Sequence, residues 1–119
     1  MKDFKELDVW IEAKKLVLMI YKTTETFPKH ELFGLSNQIR RAAVSVPSNI
    51  AEGIGRKTAK DAAHFLYTSR GSLFEIETQT IISFDLNYMS IKQSEELQVQ
   101  IQICRRLING MINYFEKQT

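Results

Sequence analysis

Leu97-Gln98-Val99-Gln100-Ile101-Gln102-Ile103-Cys104-Arg105-Arg106-Leu107-Ile108-Asn109-Gly110-Met111-Ile112-Asn113-Tyr114-Phe115 decides the fold. Leu97, Ile101, Cys104, Ile108, Met111 and Phe115 recur alternately by four and three, the period of one helix face. Ser90 followed by Gln93 reads as the capping box that opens this helix. Three further strips with helical spacing precede it. Ala62, Leu66, Leu73, Thr80 and Phe84 mark one, announced by Thr58 and Asp61 as an acidic variant of the capping box. Leu35, Ile39, Ala42, Ala43, Val46 and Ile50 mark another, for which Gly53 and Gly55 supply the exit. Trp10, Ala13, Val17, Ile20, Thr24 and Phe27 mark the first, a helix over about Leu7–Glu25 that Pro28 stops by pushing its predecessor out of the α region. Pro47 falls inside the second strip. It lacks an N–H and its ring crowds the carbonyl of Ala43, so a kink is expected there rather than two helices.

Four strips of matched length with short connections predict an all-α fold, an antiparallel up-down four-helix bundle with a Pro-kinked second helix. The chain has 119 residues, which suits a single domain over residues 1–119. With 44% hydrophobic and 25% charged residues its composition is globular, which excludes a disordered or collagenous chain. Five glycines and two prolines are too few for the many tight turns of a β-sandwich.

Met1-Lys2-Asp3-Phe4-Lys5-Glu6 mixes both charge signs before any apolar run, against a secretory signal. The longest apolar run, Leu16 to Tyr21, is far short of the ~20 residues of a membrane span, so no membrane is expected as partner. Cys104 stands alone, excluding an intrachain disulfide and favouring a cytoplasmic home.

A net charge of +2 does not announce nucleic acid, but its distribution is uneven. Residues 32–60 carry Arg40, Arg41, Arg56, Lys57 and Lys60 against Glu52 alone, whereas residues 61–89 carry Arg70 against Asp61, Glu75, Glu77 and Asp85. Such neighbours suit either helices in contact or a basic ligand surface. Gly55-Arg56-Lys57-Thr58 places two cations at the start of the third helix, with Lys60 one turn in, where free N–H groups favour anions. The segment reads as a dock for a nucleic-acid phosphate or as a solvated basic loop. Arg105 and Arg106, with Lys14 and Lys15, extend the basic surface, and with no interleaved aromatic the contacts expected are to backbone and salt-sensitive.

Two features exceed what a lone bundle needs. At about 100° per residue, Val99, Ile103, Gly110 and Tyr114, with Leu107 beside them, lie on the side of the last helix opposite its Leu97–Phe115 stripe. Self-association through this face is expected, against scattered exposed apolar residues. On the third helix, Arg70 and Glu77 share the arc of Leu66, Leu73 and Phe84, so both charges need partners. Gln38, Arg41, Ser45, Asn49 and Glu52 form a polar stripe on the second helix. The pairs expected are Arg70 with Glu77 or Glu52, and Arg41 with a carboxylate of the third helix. This set reads as an ion-pair network that fixes helix register or as a binding pocket.

Catalytic readings are weak. Asp61 and His64 have the i, i+3 spacing of a di-iron bundle, but the only other histidine, His30, sits in a predicted loop. No metal and no cofactor are expected. Gly53-Ile54-Gly55-Arg56-Lys57-Thr58 lacks the spacing and the preceding strand of a phosphate loop. Ser45, Ser72 and Cys104 lack a histidine base at a compatible position.

The chain resembles, over nearly its whole length, the four-helix bundle proteins encoded within intervening sequences of bacterial 23S ribosomal RNA genes. The likeness rests on Phe4, Leu7-Asp8-Val9-Trp10 and Ala13, on Phe27-Pro28 with Glu31, Gly34 and Leu35, and chiefly on Gln38-Ile39-Arg40-Arg41-Ala42-Ala43-Val44-Ser45-Val46-Pro47-Ser48-Asn49-Ile50-Ala51-Glu52-Gly53. It resumes at Gly71-Ser72-Leu73, Glu75 and Glu77-Thr78-Gln79, with Ser69 where relatives commonly have alanine. The resemblance implies a four-helix protomer in a homopentameric ring. The chain is similar also to the accessory proteins of diversity-generating retroelements, basic barrel-shaped pentamers that engage a reverse transcriptase and nucleic acid. RNA or DNA binding is then the leading expectation: a non-enzymatic ring offering phosphates repeated basic surfaces from Arg40, Arg56, Lys57 and Lys60. A scaffold that recruits another protein without touching nucleic acid is the second expectation, and an enzyme the third.

Overall fold

A computed structural model describes residues 3–119. Met1 and Lys2, part of the mixed-charge stretch read against an export signal, lie outside the described residues. Among those described there is no strand, and four helices carry the fold: α1 Asp8–Thr24, α2 Leu35–Ile54, α3 Ala59–Asp85 and α4 Ile91–Glu116. Single 3-10 turns at Phe4–Glu6 and Lys29–Glu31 precede α1 and α2. No helix among the described residues is long and apolar enough to cross a membrane.

The ends form where the caps dictate. Thr58 accepts from Asp61 N–H at 3.1 Å, and Ser90 and Gln93 bond reciprocally as the capping box requires. α3 ends on Asn87, the one non-glycine among the described residues with a left-handed φ, at 63°. Asn87 N–H then reaches the Phe84 carbonyl and Tyr88 N–H that of Ser83, which closes the helix. α2 is capped from outside: Gly34 has no side chain to offer, so the Glu31 carboxylate accepts from Leu35 N–H at 3.1 Å. A Cβ on Gly34 would lie 2.7 Å from that carboxylate, so a larger residue there would push the capping side chain aside.

α1 packs on α2 and α4, and α3 on α2 and α4. The inward stripes supply the core, with Leu16, Ile20, Ile39, Ile50, Leu66, Leu73, Ile101 and Ile108 fully enclosed. Near the end of α4 the stripe drifts from Met111, which is half-buried, to Ile112, as a 3.6-residue helix must against a 3.5-residue pattern. α2 and α3 meet through small residues: Ala42, Ala43, Ala62, Ala63, Ser69 and Ser72 are buried.

Gly53 corrects one expectation. It lies inside α2, buried, and a Cβ there would meet the Ala62 carbonyl at 3.0 Å. Its role is close helix contact, while Gly55 alone forms the exit, with an ordinary φ of −82°. α2 runs unbroken through Pro47. Beside it the Ser69 hydroxyl donates to the Val46 carbonyl at 2.8 Å and the Asn49 amide to the Ser45 carbonyl at 2.8 Å.

Candidate functional site

The polar groups grouped together in the sequence divide between two seams. Ser72 Oγ donates to Ser45 Oγ at 2.9 Å, and Asn49 Nδ2 donates to the same hydroxyl at 2.9 Å, so hydroxyls join α2 to α3. Gln38 and Arg41 are exposed beside them and line a shallow depression of about 390 Å3 with Glu75 and Gln79. Glu52 turns along its own helix to Arg56, 3.1 Å away. Among the described residues no ion pair bridges α2 and α3, so the opposite charges of these segments are not matched there.

Arg70 and Glu77 pair instead with α4, which corrects the expected partners. Arg70 donates to Asn109 Oδ1 at 3.0 Å and its guanidinium lies 4.7 Å from the Tyr67 ring centroid. Glu77 takes Arg105 at 2.7 Å, and Arg105 stacks on Phe74 at 4.7 Å. The reason is geometric. Residues seven apart share a direction but sit roughly 10 Å apart along the axis, too far to pair readily, and their sector of α3 borders α4 rather than α2. Arg41 has no carboxylate within 4 Å among the described residues.

The six cations assigned to a basic surface do not form one patch. Arg56, Lys57 and Lys60 gather at the corner between α2 and α3, all exposed. Arg56 also stacks on Phe65 at 4.4 Å, and its exposed pair with Glu52 is worth only about 0.3–0.5 kcal/mol, so its charge stays available. Arg40 is held away on α1, donating to Thr24 Oγ1 at 2.8 Å and stacking on Tyr21. Arg105 is neutralised by Glu77 and mostly covered, while Arg106 is exposed on α4. The corner triad is the one cluster that these six cations form.

On α4, Val99 is 60% and Tyr114 50% exposed, and Gly110 is exposed too. Ile103 and Leu107 are half-buried, Leu107 leaning on the core. The second apolar face is thus bare in the protomer.

Residues 5–110 match the sequence pattern of the 23S rRNA-intervening sequence proteins. The chain belongs to that family. A crystal structure from Bacteroides thetaiotaomicron, of a protein of unknown function from the S23 ribosomal protein family, superposes with a TM-score of 0.81 over 88% of this chain and 95% of that one. The two are 19% identical, so the likeness is one of fold. No curated protein matches the chain significantly.

Burial pushes the Cys104 thiol up to about 12, with Glu12 adding to the rise and a bond with Gln100 opposing it. Among the described residues no three His, Cys, Asp or Glu side chains converge as metal ligands. Sequence reasoning missed the buried amide of Gln100, which donates to the Glu12 carbonyl at 2.9 Å and ties α4 to α1. It missed also Tyr67, Phe74 and Ile81, whose seven-residue spacing was the available signal.

Proposed function

We propose that this chain is a non-enzymatic, cytoplasmic binding module that works as a homo-oligomeric ring and contacts RNA or DNA phosphates through basic corners repeated around it. The protomer in this reading is an up-down bundle with α2 kinked at Pro47, and the ring is five-membered, as the family resemblance implies. The observation that carries the reading is the corner itself: Arg56, Lys57 and Lys60 stand free of the core at the N-terminus of α3, where backbone N–H groups add to the pull on an anion. One corner is a weak site. Several on one particle, engaging one strand, raise the apparent affinity without any new contact, so +2 per chain suffices.

A fluorescence titration with structured RNA and with single-stranded DNA at several salt concentrations tests it. The expected result is binding that falls steeply with salt and is lost in the Arg56→Ala, Lys57→Ala double variant. No binding at low salt overturns the reading in favour of a protein-recruiting scaffold. That alternative draws its support from the pairing of Arg105 with Glu77 and the anchoring of Arg40 on Thr24 and Tyr21, which leave fewer free cations than the sequence offers.

A further inference from the structure

The bare face of α4 has a counterpart. Tyr67, Phe74 and Ile81 stand in line on α3, 40%, 52% and 50% exposed. The two surfaces differ in shape. The seam between α1 and α4 is open, a groove of about 660 Å3 lined by Lys15, Met19, Glu95, Glu96, Val99 and Ile103. The seam between α3 and α4 is filled: Arg70 and Arg105 lie over the Tyr67 and Phe74 rings, Glu77 takes Arg105, and the Tyr67 hydroxyl donates to Glu116 at 2.7 Å. Exposed in line along α3, the three apolar side chains form a ridge.

Charge and backbone fit the same pairing. Glu95 and Glu96 on the lip of the groove have no cation within 4 Å among the described residues, and Arg70 on the flank of the ridge has no carboxylate. Gly71 on α3 and Gly110 on α4 are exposed, and a Cβ on either would meet nothing within 4 Å. A glycine inside a helix costs about 1 kcal/mol relative to alanine, and no contact within the protomer explains either one. Gly110 lies within about 20° of Val99 and Ile103 around α4, and Gly71 within about 60° of Tyr67 and Phe74 around α3. Each lets another backbone approach closely beside its apolar strip.

We infer that the Tyr67–Phe74–Ile81 ridge of one copy seats in the α1/α4 groove of a second copy, with Arg70 against Glu95 and Glu96. A groove facing its own copy leaves a void, whereas a ridge fills it, so the contact is head-to-tail rather than two-fold. The two surfaces occupy neighbouring sides of the bundle, so successive copies turn and can close on themselves. This rests on the self-association proposed above and specifies the surfaces that make it.

Sedimentation of Phe74→Glu and Val99→Glu, alone and mixed, tests the pairing against the full-length wild-type chain. Both substitutions are at exposed positions, and thermal melts should show each variant folded. Each alone is expected to sediment as a 13.8 kDa monomer. Mixed in equal amounts they should form a pair and nothing larger, because Phe74→Glu keeps a groove, Val99→Glu keeps a ridge, and the remaining faces are blocked. Wild-type mass retained by Phe74→Glu would overturn the proposal, and so would variants that dimerise alone or a mixture that stays monomeric. A monomeric wild type would instead sink the self-association on which the pairing rests. Ile81→Glu and Val99→Arg repeat the cycle should either first variant fail to fold.

Discussion

The α2/α3 seam and the α1/α4 seam are built from opposite materials. Between α2 and α3, Gly53 meets the Ala62 carbonyl, alanines face one another, and the serines satisfy each other or a carbonyl. Between α1 and α4, longer side chains such as Lys15, Met19 and Ile103 hold the helices over an open groove, with Gln100 bonded to the Glu12 carbonyl. Small residues close a seam within one chain and leave only the shallow polar depression of Gln38, Arg41, Glu75 and Gln79 at its surface. Large ones at a seam's lip leave apolar surface that the protomer cannot cover.

The largest effect expected concerns how far the open seam penetrates. Cys104 lies against Gln100 and feels Glu12, yet burial raises its thiol from 9.0 to about 12. At pH 8 its thiolate population should be about a thousandfold below that of an ordinary cysteine, so alkylation should be negligible until denaturant is added. Rapid alkylation of the folded chain would mean that the groove reaches the core. The closed seam is probed by Gly53→Val, which drives a branched side chain into the Ala62 carbonyl and should cost about 3 kcal/mol in urea unfolding. A neutral result would show the seam to be looser than its distances indicate. Ser72→Ala should cost less, about 1 kcal/mol, since Ser45 keeps its bond from Asn49.

The smallest effect is one of pH. The N–H of Leu35, then the Tyr88 hydroxyl, hold the Glu31 carboxyl below its ordinary value. A lowered folded pKa means that this stabilisation is complete above the ordinary carboxylate value and is lost as pH falls through the lowered one. Glu31→Gln should therefore flatten the acid side of the stability profile and leave the neutral side nearly parallel to wild type. An unchanged acid limb would exclude Glu31 as the cap of α2.

Most of the fold was legible because apolar period and capping boxes are local signals. The α3 and α4 caps and the inward stripes needed no knowledge of neighbours. What a helix acquires from its neighbours was not legible. Arg70 was expected to pair with Glu77 or with Glu52 of the polar stripe on α2, whereas the sector that Arg70 and Glu77 share borders α4. Gly53 looked like an exit because a contact with α3 that leaves no room for a Cβ has no signature in one strip alone. The basic corner was readable as a run of adjacent residues, but the neutralisation of Arg105 depended on a contact across 28 positions. The ridge of Tyr67, Phe74 and Ile81 was spelled out at heptad spacing, yet only its exposure sets it apart from core.

All of this converges on whether other copies cover what one chain leaves bare. Sedimentation equilibrium of the full chain at tens of micromolar decides it most directly: the account predicts a particle of several times 13.8 kDa, and a single species of 13.8 kDa at every concentration would contradict it.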